Sequence, residues 1–266
     1  MLNRRRIAFI AVVLLVIGFG GALFTYPSLS AGETVEEERT FTDTISDVVI
    51  ETDNSTIEIV PTTDNVTKVE FIKNTKNNSR YRYKAEVEDG ILQVTIKEKV
   101  LQFFSFDFSL KSAVTRVYLP EKDYDSLKAK TANGKVRIEN LNSDIISAES
   151  TNGKMSLENL NTQTATIQSE NGKISAVNIS GELKAEVTNG TINVEAKSLD
   201  HPVDLESVNG KVNVQVEEEP DNAEIIVEVV NGEAIIFGSS SRYRTFGDGE
   251  NLIKIQTVNG KVVVDH

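Results

Sequence analysis

Apolar and polar residues alternate through most of this chain after residue 40, and the alternation is organised around seven Asn–Gly pairs. The residues six and four before each Asn, and three and five after it, are apolar in all seven copies. The intervals between successive pairs are 19, 19, 18, 20, 22 and 28 residues. Such a period indicates a repeat architecture, with half-buried strands on both sides of each pair. The pairs are Asn133–Gly134, Asn152–Gly153, Asn171–Gly172, Asn189–Gly190, Asn209–Gly210, Asn231–Gly232 and Asn259–Gly260.

Two geometries fit this frame. Asn–Gly tolerates positive φ at both residues and is the strongest short hairpin signal, so each repeat could be a two-strand hairpin. A solenoid corner fits as well, because both flanks of the pair then face inward. Burial favours the solenoid, because an array of hairpins would leave one apolar sheet face uncovered. No amphipathic helix follows residue 30 to cover such a face, whereas a solenoid buries its own interior. We therefore predict an all-β fold, a β-solenoid with coils of about 19 residues, with a hairpin-repeat β-sandwich or barrel as the alternative.

The Asn and Gly residues of the seven pairs are predicted to be structural turn residues. Gly would supply positive φ, and stacked turns would align the Asn side chains in a hydrogen-bonded ladder. A second Asn recurs at Asn140, Asn159 and Asn178, which predicts a second polar column. On this interpretation Gly172→Val forces positive φ on a β-branched residue and costs about 1–3 kcal/mol.

The N-terminus has a different pattern. Arg4, Arg5 and Arg6 precede a stretch of uncharged residues, 7–26, which as a helix would span about 30 Å, one hydrocarbon core. We predict that residues 1–6 are a cytoplasmic basic segment, 7–26 a transmembrane signal anchor and 27–40 a linker, with the rest of the chain extracytoplasmic. A cleaved signal peptide is the alternative.

The repeat reaches upstream in a weakened form. Asn54–Ser55 and Asp89–Gly90 take the turn position there, with apolar residues at the same offsets but irregular spacing. Residues 41–120 are therefore predicted to be a divergent N-terminal β portion, and residues 121–266 the regular Asn–Gly array.

Two segments interrupt the pattern. The first is predicted to be an aromatic strand that plugs the core, or else an exposed docking patch; it carries Phe103, Phe104, Phe106 and Phe108. The second, residues 239–251, is predicted to be a surface loop. A ligand-contacting role for this loop is the alternative, because it contains Arg242, Tyr243, Arg244 and Phe246.

The charge balance limits the partners. The chain has a net charge of −12 and no Cys. Residues 1–30 contain three Arg and no acids, so the remainder carries 25 basic and 40 acidic residues, a net charge of −15. This balance argues against nucleic acid as a partner, and an acidic outer face should repel anionic wall polymers unless cations bridge them. Without disulfides, stability must come from packing.

Catalytic patterns are weak. The two His, His201 and His266, lie in a turn and at the C-terminus, and the GDGE sequence at residues 247–250 is too short for a metal loop. Glu139 and Glu158 would lie one strand spacing apart, but they alternate with apolar residues and are predicted to face solvent. We predict no enzymatic activity, no cofactor and no bound metal.

The chain resembles a bacterial β-repeat family named "putative adhesin", of the LiaG/YvlB type and of unknown function. The resemblance rests on VTRVYLPEKDYDSLKAKTANGKVRIENL at Val114–Leu141 and continues through STNGKMSLENL, SENGKISAVNI and SVNGKVNV. It covers about residues 40–266. It implies a Gram-positive cell envelope near genes that answer cell-wall-antibiotic stress, and it carries over no catalytic residues.

Together these observations predict a single-pass protein of the cell membrane with a structural or interaction role in the envelope. Its β-repeat surface would bind another protein or a cell-wall component. A glycan-active β-helix enzyme and an accessory subunit of a stress-sensing membrane complex are the alternatives.

Overall fold

A computed structural model of the protein describes residues 34–74, 81–98 and 113–266, and all of the regular structure in these ranges is β-strand. The all-β prediction is therefore confirmed for them. None of these residues forms a helix long and apolar enough to cross a membrane. The predicted anchor at 7–26 and the phenylalanine cluster at 103–108 lie outside the described residues. The strands are β1 Thr34–Phe41, β2 Asp47–Thr52, β3 Ser55–Thr62, β4 Thr67–Asn74, β5 Tyr81–Glu88, β6 Ile91–Glu98, β7 Ala113–Pro120, β8 Asp123–Asn133, β9 Val136–Ala196, β10 Val203–Val216, β11 Ala223–Ile236, β12 Tyr243–Phe246 and β13 Asn251–Asp265.

The repeats pair in parallel, residue for equivalent residue. Asn133 lies opposite Asn152, Asn189 opposite Asn209, and Asn209 opposite Asn259. β9 alone contains three Asn–Gly pairs. A hairpin would pair the two flanks of one Asn–Gly turn with each other in antiparallel fashion. The hairpin alternative is therefore wrong for these pairs.

The apolar frame forms the core. Among the apolar positions that flank the seven pairs, Ala234 is half-buried and all the others are buried. They belong to one continuous cluster that extends from Val48 in β2 to Val264 in β13. Each fully buried aliphatic side chain stabilises the fold by about 1.5–3 kcal/mol, so the shared interior is the main source of stability in a chain without disulfides.

The order of the repeats in the stack differs from their order in the chain. β13 lies between β10 and β11 and pairs in parallel with both, with Ile255 opposite Leu205 on one side and Val227 on the other. At the other end, β2 lies between β6 and β8, and β3 lies between β7 and β9. Equivalent apolar frames make these exchanges possible, because any repeat presents the same edge to any other.

Antiparallel strands cover both ends of the stack. β4 pairs with β7, β1 with β4 and β5 with β6 at one end, and β12 pairs with β11 at the other. The prediction of a plain surface loop at residues 239–251 is thus wrong in part, because Tyr243–Phe246 is a capping strand. The guanidinium of Arg244 lies 4.9 Å from the ring centre of Phe237 and 4.7 Å from that of Phe246. Covered ends are one way in which sheets avoid edge-to-edge aggregation.

The predicted positive φ is wrong for most of the Asn–Gly turns, because Gly190 (159°) and Gly232 (149°) are the glycines of the seven pairs at which φ is positive. None of the seven Asn residues has positive φ, and Gly172 lies outside the left-handed region. A Cβ atom at Gly172 would instead lie 1.8 Å from the carbonyl oxygen of Gly153. Glycine is required there because neighbouring backbones approach too closely for any side chain. Asp89–Gly90, by contrast, has φ values of 49° and 79° and joins the antiparallel strands β5 and β6 as a true hairpin.

Positive φ occurs instead at the second Asn column. Asn140, Asn159 and Asn178 have φ values of 55°, 52° and 51°. The Nδ2 of Asn159 donates to the Oδ1 of Asn140 at 3.0 Å, and the Nδ2 of Asn178 donates to the Oδ1 of Asn159 at 3.1 Å. In these three repeats the left-handed residue is thus an Asn seven positions after the Asn of the pair, and Asn is one of the few residue types that tolerate this conformation.

We expect Asn159→Val to lower the free energy of unfolding by about 1–3 kcal/mol, because a β-branched residue is strained at positive φ. The matched variant Asn159→Gly keeps that conformation and loses only the two side-chain hydrogen bonds, a loss of about 1 kcal/mol. Urea unfolding of both variants measures the difference. Equal losses in the two variants would contradict a role for backbone conformation at this corner.

Candidate binding surface

The Asn side chains of the seven pairs, together with Asn54, form one hydrogen-bonded column on the outside of the stack. In each step the Nδ2 of one Asn donates to the Oδ1 of its neighbour, at distances between 2.8 and 3.0 Å. The order along the column is Asn54, Asn133, Asn152, Asn171, Asn189, Asn209, Asn259 and Asn231. The column fixes the register of every residue beside it, so any side chain that recurs at a fixed offset also forms a column.

Glycines hold the backbones together behind the Asn column. A Cβ atom at Gly153 would lie 1.7 Å from the carbonyl oxygen of Gly134, and one at Gly210 would lie 1.5 Å from that of Gly190. Small or β-branched residues two positions before each Asn are buried beside these glycines, as Ser150 and Ser207 are. The Asn and Gly residues therefore lie in the wall itself, and the residues on either side of them form its outer surface.

A groove runs along the stack on the N-terminal side of the Asn column. Its volume is about 370 Å³, and it is lined by residues of successive repeats. Four of its lining residues are Glu149, Glu170, Glu186 and Glu206, and we call it the acidic groove. Glu186 and Glu206 lie directly opposite each other on β9 and β10, an arrangement that places like charges side by side.

Two partners offset part of this charge. Lys130 forms a salt bridge with Glu149, and this hydrogen-bonded carboxylate raises the pKa of Lys130. The Nε2 of Gln168 donates to Glu186 at 3.1 Å. The residues three positions before each Asn thus alternate between acids and their partners from Lys130 to Glu186, but Glu186 and Glu206 are adjacent acids, so the groove remains acidic overall.

A column of lysines lies on the other side of the Asn column, and the sequence-based predictions missed it. It occupies the position two residues after five of the seven Asn residues; we call it the lysine column, and its members are Lys135, Lys154, Lys173, Lys211 and Lys261. The first four are exposed and Lys261 is half-buried. The signal was present as five Asn-Gly-Lys triplets, but it acquires meaning only when the repeats are in register.

The other residues considered for chemistry have structural contacts. The Nδ1 of His201 is 3.3 Å from its neighbouring Pro202 carbonyl oxygen, and the ring of His266 lies 5.6 Å from that of Phe237. Glu139 forms an ion pair with Arg137 at 2.6 Å. At the GDGE segment, the backbone N–H of Glu250 donates to the Asn222 side chain at 3.0 Å. Among the described residues no cluster of three His, Cys, Asp or Glu side chains is placed to hold a metal ion.

Comparisons with known proteins found a matching family model and similar solved structures. The Toastrack DUF4097 family model matches residues 45–176 and, in a second overlapping match, residues 144–265. No curated protein matches the chain. A solved "putative cell adhesion protein" from Clostridium sporogenes is 14% identical and covers 88% of this chain and 99% of its own, with a TM-score of 0.38. A solved "putative adhesin" from Bacteroides fragilis is 12% identical and covers 87% of this chain and 97% of its own, with a TM-score of 0.44.

Proposed function

This chain belongs to the Toastrack DUF4097 family, and on that premise we propose that it is a membrane-anchored β-solenoid of the bacterial cell envelope with a non-enzymatic, adhesin-like binding role. Residues 7–26 would be the single membrane span, and the β-repeats would lie outside the cell. The binding surface would be the wall of the stack, and its partner a cell-wall component or another envelope protein. A link to the envelope stress response of the LiaG type belongs to the same proposal.

The observation that carries the proposal is the column of eight Asn side chains with its flanking columns. In-register stacking repeats each outward side chain at about 4.8 Å, so the wall presents long rows of identical groups. Rows of this kind suit an extended partner that contacts several repeats at once, because many weak contacts then add up along one binding event. The acidic groove and the lysine column are the two rows that lie beside the Asn column.

The continuous core supports the solenoid within this proposal. The apolar residues on both flanks of each Asn–Gly pair point into the same cluster, which requires each repeat to bend around that interior. Successive repeats extend the interior, as in other repeat proteins that bury a shared core only by stacking. A wall held together by the Asn column and by close glycine contacts is pre-organised, and pre-organisation lowers the entropic cost of binding.

The acidic groove is the one feature that favours a glycan-active enzyme instead. Two carboxylates, those of Glu186 and Glu206, lie on neighbouring strands and line the same groove. A glycosidase, however, needs its two carboxyl groups to flank the scissile bond. Glu186 and Glu206 occupy the same row on the same wall, so they lie side by side rather than across a bound sugar. The geometry therefore favours binding over hydrolysis.

Membrane topology tests the first half of the proposal. The chain contains no Cys, so a single introduced thiol reports its own position. We expect the full chain with Thr188→Cys, an exposed position on the wall, to react in intact cells with a membrane-impermeant maleimide. The matched variant Asn3→Cys should react only after lysis. Reaction of Thr188→Cys only after lysis would refute the extracytoplasmic placement.

Envelope binding tests the second half. The full chain in detergent micelles should sediment with isolated cell envelopes and remain in the supernatant when they are absent. A glycan-turnover assay on the same material should show no release of reducing ends. Failure of the chain to sediment with envelopes would overturn the binding role. Glycan release that Glu186→Gln abolishes would show an enzyme instead.

A further inference from the structure

The lysine column is a local excess of positive charge on a protein whose net charge is −12. Lys135, Lys154 and Lys173 belong to three successive repeats, so their side chains start at about one strand spacing from each other, near 4.8 Å. Thr191 takes the next place in the row, opposite Lys211. Lys261 follows, because β13 lies beside β10.

Acidic side chains do not neutralise most of this row. Within the described part of the chain, the salt bridges include none of Lys135, Lys154, Lys173 or Lys211. Lys261, at the C-terminal end of the row, pairs with Glu233 at 3.2 Å. Four of the five ammonium groups are thus available to an external anion.

The neighbouring row is uncharged and polar over most of its length. Two residues after Lys154, Lys173, Thr191 and Lys211 come, respectively, Ser156, Ser175, Asn193 and Asn213. The Nδ2 of Asn213 donates to the Oδ1 of Asn193 at 2.9 Å, so this row follows the same register. The surface therefore offers ammonium groups beside hydroxyl and amide groups, a combination that can neutralise an anion and hydrogen-bond to its backbone.

Adjacent lysines at this spacing repel each other. Two like unit charges about 5 Å apart repel each other even in bulk water, and mobile salt ions relieve only part of this repulsion at physiological ionic strength. A chain-like anion laid along the row relieves the repulsion at every repeat. The row is composed of Lys, and a lysine ammonium binds a phosphate group as a point charge, without the fixed fork geometry of a guanidinium.

We infer that the lysine column binds a linear phosphodiester polymer that lies along the stack with its charges on successive ammonium groups. This inference rests on the proposed function, since it names the partner class for the same wall. It also differs from the expectation that an acidic outer face repels anionic wall polymers, because four acids line the groove on one side of the Asn column and the lysine column lies on the other side.

The test uses the full chain in detergent micelles and fluorescently labelled poly(glycerol phosphate), with binding followed by anisotropy. The affinity should fall by at least about tenfold between 50 and 200 mM salt, as it does when several phosphates are neutralised. The triple variant Lys135→Gln, Lys154→Gln, Lys173→Gln should lose about tenfold or more in affinity, since three ion pairs with the polymer are lost together.

The matched control, Lys128→Gln, Lys184→Gln, Lys197→Gln, removes the same charge from exposed lysines outside the column and should change affinity by less than about threefold. Thermal melts of both variants establish that each is folded. Equal losses in the two variants, or salt-insensitive binding, would overturn the inference. Hyaluronate, whose charges are carboxylates, and oligothymidylate serve as competing polymers. If either binds more tightly than poly(glycerol phosphate), the assignment to an envelope phosphodiester polymer is overturned.

This experiment separates the two proposals. If the full chain sediments with envelopes but poly(glycerol phosphate) does not bind, the ligand class is wrong and the binding role stands. If neither binds, both are wrong. If the lysine-column variant still sediments with envelopes as well as the unmodified chain while it has lost poly(glycerol phosphate), another row of the wall is the main envelope contact and the inferred role of the column fails.

Discussion

Gly172→Ala is expected to lower the free energy of unfolding by about 3 kcal/mol or more, a loss at the upper end for a single methyl group. The added Cβ atom would lie 1.8 Å from the carbonyl oxygen of Gly153. That oxygen belongs to the backbone of the neighbouring repeat, so it cannot move without separating two paired strands. Urea unfolding of the full chain in detergent micelles measures the loss.

The sign of this result decides between two explanations of the glycine. Gly172 lies outside the left-handed region, so its local backbone conformation would permit Ala. If that were the only constraint, Gly172→Ala would raise stability by about 0.4–1 kcal/mol, because Ala lowers the entropy of the unfolded chain. The close approach of the backbones predicts the opposite. The control is Lys173→Ala, one position further along and exposed, which should change stability by less than about 0.5 kcal/mol. A stabilising Gly172→Ala would refute the tightly stacked wall.

Ending the chain at Glu250 is expected to unfold the C-terminal end of the stack. The truncation removes β13, which pairs with β10 on one side and β11 on the other. Its residues Ile253, Ile255, Val262 and Val264 are completely buried, so their loss exposes apolar surface on both neighbours. Hydrogen–deuterium exchange should show that the amides of β11 lose their protection, while those in the middle of β9 keep theirs.

This truncation also tests the order of the repeats. If the repeats stacked in chain order, removal of the last one would leave β10 and β11 paired, and the amides of Ala223–Ile236 would stay protected. The control ends the chain at Val264 and keeps nearly all of β13. Retained protection of β11 in the shorter chain, at the level of this control, would contradict the exchanged order of β11 and β13.

The sequence predicted the core more successfully than the turns. The apolar positions around each Asn–Gly pair could be identified because burial depends on a local pattern, the alternation of side chains along a strand. The backbone conformation of the Asn–Gly pair could not be predicted from this local pattern. Asn–Gly is compatible both with a hairpin turn and with an extended corner, and the carbonyl oxygen that makes Gly172 necessary belongs to a residue of the preceding repeat. Asp89–Gly90, which has similar chemistry, does form the hairpin.

The candidate surface was only partly visible in the sequence. The acids that line the groove and the lysines after each Asn–Gly pair could be counted, and the net charge suggested a uniformly acidic exterior. Assigning these charges to separate rows required the register of the repeats. Glu186 and Glu206 become neighbours, and Lys154 and Lys173 form a row, only when the repeats are aligned. The capping strand Tyr243–Phe246 was expected to be loop because its four residues lack an apolar alternation of their own.

The sequence by itself determined the repeat, the strands and the residues that face the interior, since each of these follows from side-chain alternation over a few residues. Only the tertiary structure decided which repeat stacks on which, where positive φ occurs and how the charges divide into rows. The physical reason is the equivalence of the repeats: their apolar edges are interchangeable, so the pairing of β13 between β10 and β11 depends on contacts between residues far apart in the chain.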